Sequence, residues 1–220
     1  MLAQLKVRTQ LLALAGVSLV LFVVAVVIAV LALQTNQHRF HEFVDRDAVR
    51  LAAFNEMYAQ GLQSGQALRN IMLDPGNRKA YDNLDLAVTD FNAALKKAKE
   101  LSAGRTDLAP VIEKIGKLAQ QQQAARTAVV ADVSASKFDD AKARLNKDET
   151  PAWRALKKDL LDGIALLAGE ADKTKEQLAV ESRSKQRQIV VVAAVAILTM
   201  LTISFLIARN LLKQLGGEPA

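Results

Sequence analysis

The feature that most limits what this chain can become is a pair of uninterrupted apolar blocks. Between Leu11 and Leu33 no residue is charged and the one hydroxyl is Ser18. About 23 residues at 1.5 Å each rise about 34 Å as a helix, enough to cross the hydrocarbon of a bilayer. Lys6 and Arg8 precede the block as they would in a secretory signal. A cleaved apolar region is shorter, about 7–15 residues, and ends on small side chains. Here Gln34-Thr35-Asn36-Gln37-His38-Arg39 follows, so the block is expected to stay in place as a span. The second block, Ile189 to Ala208, is also free of charge, with Arg183, Lys185 and Arg187 before it and Arg209 and Lys213 after it.

Two crossings divide the chain into a cytoplasmic N-terminus (1–10), a first transmembrane helix (11–33), an outer domain (34–188), a second transmembrane helix (189–208) and a second cytoplasmic segment (209–220). The outer domain of roughly 155 residues has the length of one domain. Lys and Arg flank both sides, so charge alone barely orients the chain; a short basic N-terminus before the first span favours N-inside. The expected location is therefore a bacterial inner membrane, crossed twice, with the outer domain in the periplasm. The absence of cysteine fits an oxidising compartment.

The formal net charge is +6. Lys and Arg are interleaved with Asp and Glu along the helical segments and lack aromatic neighbours that would stack bases, so nucleic acid is not an expected partner.

Within the outer domain, Pro and Gly fall where helical periodicity stops. The first helix should continue out of the membrane unbroken to Leu73, with a seam of Leu51, Phe54, Tyr58, Gly61, Gly65, Leu68 and Met72. Glycine costs about 1 kcal/mol relative to alanine inside a helix, so Gly61 and Gly65 predict close approach of a neighbouring helix. Asp74-Pro75-Gly76-Asn77 predicts a reversal. A second helix follows over about 78–101, with Tyr81, Leu84, Val88, Phe91 and Leu95 on one stripe. Ser102-Ala103-Gly104 ends it. Thr106-Asp107 predicts the start of a third, with Pro110 in its first turn and an apolar face of Leu108, Val111, Ile115, Leu118 and Val129, ending near Ser134-Ala135-Ser136. A short helical piece over 137–146 leads to Thr150-Pro151, read as an N-cap with proline at the first helical position. The fourth helix then carries Trp153, Leu156, Leu160, Ile164 and Leu167 and runs directly into the second span. The expected fold is all-α: an up-down-up-down four-helix bundle continuous with two transmembrane helices.

Three stretches resemble methyl-accepting chemotaxis proteins. Leu211-Leu212-Lys213-Gln214-Leu215-Gly216-Gly217-Glu218-Pro219-Ala220, directly after the second span, resembles the opening of their HAMP linker. The stretch from Gly61 to Pro75 (GLQSGQALRNIMLDP) and the Asp148-Glu149-Thr150-Pro151-Ala152-Trp153-Arg154 stretch resemble their four-helix-bundle ligand-binding domain. The resemblance implies a homodimeric receptor that binds a small molecule between subunits and passes a helix displacement inward for chemotaxis signalling. A complete receptor of that family would continue through HAMP into a long cytoplasmic signalling domain, which this sequence lacks. The same bundle and linker would also suit the sensor half of a histidine kinase or cyclase. A reading of another class is a ligand-free membrane scaffold that binds a periplasmic protein.

For a ligand site, Leu62, Gln66, Arg69 and Leu73 form a second stripe beside the core stripe, spaced four, three and four. A guanidinium suits a carboxylate because its fork makes paired, charge-assisted hydrogen bonds. The alternative for Arg69 is an ordinary solvated or inter-subunit arginine; Asn70 and Gln63 would complete the pocket only under a partner helix and otherwise read as solvated surface; Arg154 would reach the ligand from the fourth helix, its alternative being an ion pair with Asp148 or Glu149. Trp153 reads as core. His38 and His41 beside Glu42 are too few for a zinc site. No cofactor is expected, and no nucleophile motif, phosphate-cradling loop or acid–base pair is visible, so the chain does not read as an enzyme.

Overall fold

The structure, a computed structural model, describes residues 7–214. The Leu215–Ala220 part of the linker-like stretch therefore lies outside the described residues, as does the start of the 1–10 segment. Among the described residues every element is helical: α1 (Val7–Glu42), α2 (Val49–Leu73), α3 (Arg78–Leu101), α4 (Ala109–Ser134), α5 (Phe138–Arg144) and α6 (Thr150–Gln214). Two π-helical turns, Phe43–Ala48 and Leu145–Glu149, follow α1 and α5.

The chain forms two compact units, one of residues 1–41 and 175–220, the other of 42–174. The first contains the two apolar blocks. These helices are long and apolar enough to cross a membrane, and their large side chains point outward: Leu19, Phe22, Val190 and Leu198 are each more than 60% exposed. In water such surface would be costly; in hydrocarbon it is what a spanning helix presents, because its backbone is already satisfied within the helix. In the same unit Arg39 Nη1 donates to both carboxylate oxygens of Glu181, at 2.5 and 2.7 Å.

The second unit is the four-helix bundle, built from α2, α3, α4 and the first part of α6. Its corners follow from local chemistry. Asp74 leaves helical geometry before Pro75, and Asn77 caps α3 by accepting from the Ala80 N–H at 3.2 Å. Gly104 takes φ +86°, which an L side chain rarely adopts, and so turns α3 into the next corner. Pro110 sits in the first turn of α4 as expected, but the capping position is Leu108, not Thr106 or Asp107. Asp107 is drawn instead to Arg105. Arg50, only 3% exposed, donates from Nε and Nη2 to the Leu101 carbonyl and from Nη1 to Asp47, tying α2 to the electron-rich end of α3.

Two helical boundaries differ from expectation. The helix leaving the first apolar block is interrupted by the π turn at Phe43–Ala48, which no Pro or Gly announces. Thr150 is not an N-cap: its backbone is helical (φ −63°, ψ −41°), and the chain passes from α5 through the second π turn into α6. Pro151 has no N–H to offer the preceding turn, and the wider winding of Leu145–Glu149 absorbs that missing bond without breaking the helix.

The core is two apolar clusters. One gathers Phe54, Met57, Phe91, Leu108, Ile112, Ile115, Trp153, Leu156 and Leu160; the other gathers Ala67, Leu68, Ile71, Leu84, Val129 and Val133. Burial of each large side chain stabilises by about 1.5–3 kcal/mol. On α2 the most buried stripe is Phe54, Met57, Gly61, Ser64, Leu68 and Ile71, with the expected seam residues Leu51, Tyr58 and Met72 half-buried at its flank. The α4 face is likewise shifted, to Ile112, Ile115, Ala119, Gln122, Arg126, Val129 and Val133. Val111 and Leu118 pack at its edge.

Candidate functional site

The residues selected from sequence lie together on one face of α2, and that face is open. Leu62, Gln66, Arg69, Asn70 and Leu73 are all exposed, Leu62 by 44% and Leu73 by 84%. Burial therefore alternates along the helix, with Gly61, Ser64, Gly65, Leu68 and Ile71 turned inward beside them. Arg69 folds back on its own helix, its Nη1 donating to the Gly65 carbonyl at 2.8 Å. A Cβ there would lie 3.0 Å from Arg69 Nη1, and no neighbouring helix comes within 4 Å of it. Gly61 is the opposite case: a Cβ would lie 2.3 Å from two ring carbons of Trp153 on α6. Phe54 of α2 reciprocates by filling the notch at Gly163, 2.5 Å from where a Cβ would stand. The expected close approach thus occurs at Gly61 and not at Gly65.

Arg154 is exposed on α6 next to Trp153, which is 9% exposed and stacks on Tyr58 with ring centroids 6.4 Å apart. The acids considered as its partners are engaged elsewhere. Asp148 lies 3.9 Å from Arg144, and Glu149, 1% exposed, accepts from Gln122 Nε2 at 2.9 Å.

Glu149 belongs to a polar layer that sequence reading missed. On α2, α4 and the chain leading into α6, Ser64, Gln122 with Arg126, and Glu149 fall between residues of the two apolar clusters. Arg126 is 6% exposed; burial pulls its basicity down while the charge of Glu149 opposes that. No ion-pair or hydrogen-bond contact joins the two directly. A space of about 10 Å³, the size of one water, lies among Ser64, Asn92, Gln122, Gln123 and Arg126. The signal was present in the sequence as spacing. Gln122 and Arg126 continue the 3-4 repeat of Ile112, Ile115 and Ala119 into Val129 and Val133, so both occupy core positions despite their polarity.

Two wider clefts open on the bundle. One of about 370 Å³ lies between α2 and α3, lined in part by Val49, Glu56, Asp90 and Lys97. The other, about 550 Å³, lies at the α3–α4 corner. Neither of these clefts nor the interior space is lined by Leu62, Gln66, Arg69, Asn70 or Arg154. At the corner Arg105 binds Asp107 through two bonds of 2.8 and 2.5 Å and reaches Glu170 of α6 at 2.8 Å. The hydrogen bonds to Asp107 and then Glu170 raise the Arg105 pKa, and Arg105 holds the Asp107 carboxyl down at about 2. Among the described residues no group of three or more His, Cys, Asp or Glu is gathered to hold a metal ion. The chain matches no family model, no curated protein and no solved structure.

Proposed function

We propose that this chain is the sensory part of a transmembrane chemoreceptor of the methyl-accepting type. Both ends lie on the cytoplasmic side of a bacterial inner membrane, the bundle stands in the periplasm, and two copies pair so that the open α2 face meets its counterpart. A small organic ligand carrying a carboxylate binds on that face, with Arg69 as the charged anchor, Gln66 and Asn70 as polar contacts, Leu62 as apolar wall and Arg154 contributing from α6.

The observation that carries this reading is α6 itself. It is one helix from Thr150 to Gln214 and holds both core residues of the bundle (Trp153, Leu156, Leu160) and the second apolar block. A ligand that favours one position of α6 over another thus acts on the same helix that enters the membrane. It shifts that balance only by its difference in affinity for the two states. The open α2 face adds support, because exposed Leu62 and Leu73 flank a guanidinium whose hydrogen bond to Gly65 leaves donors for a carboxylate.

The test is a thermal-shift screen of the chain in lipid nanodiscs against organic acids, amino acids and aromatic carboxylates. A ligand that binds only the folded state raises the midpoint saturably. The expected result is a shift from one chemical class that Arg69→Ala weakens by tenfold or more, consistent with loss of a charge-assisted bond. No shift from any class, with the bundle folded and dimeric, would replace this reading with the protein-binding scaffold.

A further inference from the structure

The cleft at the α3–α4 corner is built like a ligand site and is separate from the α2 face. Its volume, about 550 Å³, falls within the range of small-molecule pockets. Its wall is contributed by the last turn of α3 (Lys99), the corner (Ser102, Arg105) and the first turns of α4 (Ile112, Gly116, Lys117).

Three observations specify the occupant. First, the charge is one-sided: Lys99, Arg105 and Lys117 line the cleft against a single acid, Glu113. Glu113 pairs with Lys117 at 2.7 Å, and Arg105 is held by Asp107 and Glu170. Lys99 has no ion-pair partner among the described residues, and its ammonium hangs over Gly116, 3.8 Å from where a Cβ would stand. Second, Ser102 is 5% exposed, and its Oγ is the buried side-chain polar atom left without a hydrogen-bond partner among the described residues. A buried hydroxyl without a partner is costly, so such an atom beside a cleft calls for something to bond. Lys99 in the last turn of α3 and Ser102, the residue that caps its C-terminal end, both line the cleft. Third, Ala103, Ala109 and Ile112 give the cleft an apolar wall.

We propose that this cleft binds a small organic monocarboxylate: the carboxylate meets Lys99 Nζ and accepts from Ser102 Oγ, and a short apolar body lies against Ile112. Arg105 at the edge makes the site consequential. The same guanidinium holds Glu170 of α6 at 2.8 Å, so an anion that draws on Arg105 competes with Glu170 and loosens the tie between corner and α6. None of this depends on Arg69, and the site stands or falls apart from the α2 reading.

The experiment is calorimetric titration of the chain in nanodiscs with benzoate and hexanoate, with benzamide as the uncharged counterpart of benzoate. Saturable binding of a carboxylate is expected, with benzamide weaker by roughly tenfold or more, as loss of a charge-assisted bond implies. Lys99→Ala, at an exposed position, should weaken it by a similar factor with the unfolding midpoint unchanged. Ser102→Ala should weaken it while leaving the ligand-free protein as stable or more so, and Gly116→Leu, which fills the cleft, should abolish it. The proposal is overturned if neither carboxylate binds, if benzamide binds as well as benzoate, or if Lys99→Ala binds unchanged. Loss of binding in Arg69→Ala with none in Lys99→Ala would move the site to α2.

Discussion

Gly61→Ala tests whether α2 and α6 are held together by aromatic rings seated on glycines. The new Cβ would lie 2.3 Å from two Trp153 ring carbons, and ordinary contact begins at 3.4 Å, so the indole must retreat by about 1.1 Å. It has little room to do so, since Trp153 is 9% exposed and stacked on Tyr58. Overpacking of this kind costs about 1–3 kcal/mol, and a rigid ring places the cost toward the upper end. Alanine returns about 1 kcal/mol of helix propensity, leaving a net loss of about 1–2 kcal/mol. Gly169→Ala is the control: nothing lies within 4 Å of its Cβ position, so only the propensity gain of up to about 1 kcal/mol remains. Trp153 is the single tryptophan, so its emission follows unfolding of the bundle in nanodiscs or mild detergent. In a Trp153→Leu background, where unfolding is followed by far-ultraviolet circular dichroism because the tryptophan is gone, Gly61→Ala should change sign and stabilise, because the clash is gone. Gly61→Ala as stable as Gly169→Ala, or a penalty that persists without the indole, would refute the close-approach argument.

Glu149→Gln should destabilise the bundle, by less than the roughly 3–5 kcal/mol of a broken direct buried pair, because Arg126 feels the Glu149 charge without touching it; joint replacement of Arg126 and Glu149 by Met should recover most of that loss, and denaturant midpoints of the three variants measure both effects. The Arg105–Asp107 contact should make stability fall in acid. The folded carboxyl is held at about 2 against an ordinary 3.8, so its contribution is intact above about pH 4 and is lost as pH falls toward 2. The half-exposed pair keeps the effect small. The gap between wild type and Asp107→Asn should close over that window, and a gap unchanged down to about pH 2 would count against it. Since the chain has no cysteine, single-cysteine variants can report topology: Gln63→Cys should react with a membrane-impermeant maleimide in intact cells and Thr9→Cys only after lysis, and the reverse pattern would invert the orientation.

The residues of the α3–α4 corner and the polar layer explain why the candidate sites were only partly readable. Arg69 and its neighbours could be placed on one helical face because side-chain direction repeats with the helix, and they do share that face. Whether the face was covered could not be read, since coverage depends on which helices pack beside α2. The Lys99–Ser102 cleft depends on residues from two helices and a corner meeting in space, and on a hydroxyl that finds no partner there.

The sequence by itself determined the all-helical class, the two apolar segments and the corners at Pro75, Gly104 and Pro110, because each rests on local chemistry: run length, periodicity, and the special backbones of proline and glycine. It also marked Gly61 and Gly65 alike as places for a neighbouring helix to come close. Only the tertiary structure decided which glycine receives a ring and which faces nothing but the end of its own helix's arginine. It alone placed Gln122, Arg126 and Glu149 between two apolar clusters, and it alone carried α5 into α6 through Pro151 without a break. The physical reason is common to all three. A side chain's burial and a helix's tolerance of a missing bond are set by what neighbouring helices supply, and those neighbours are distant in the chain.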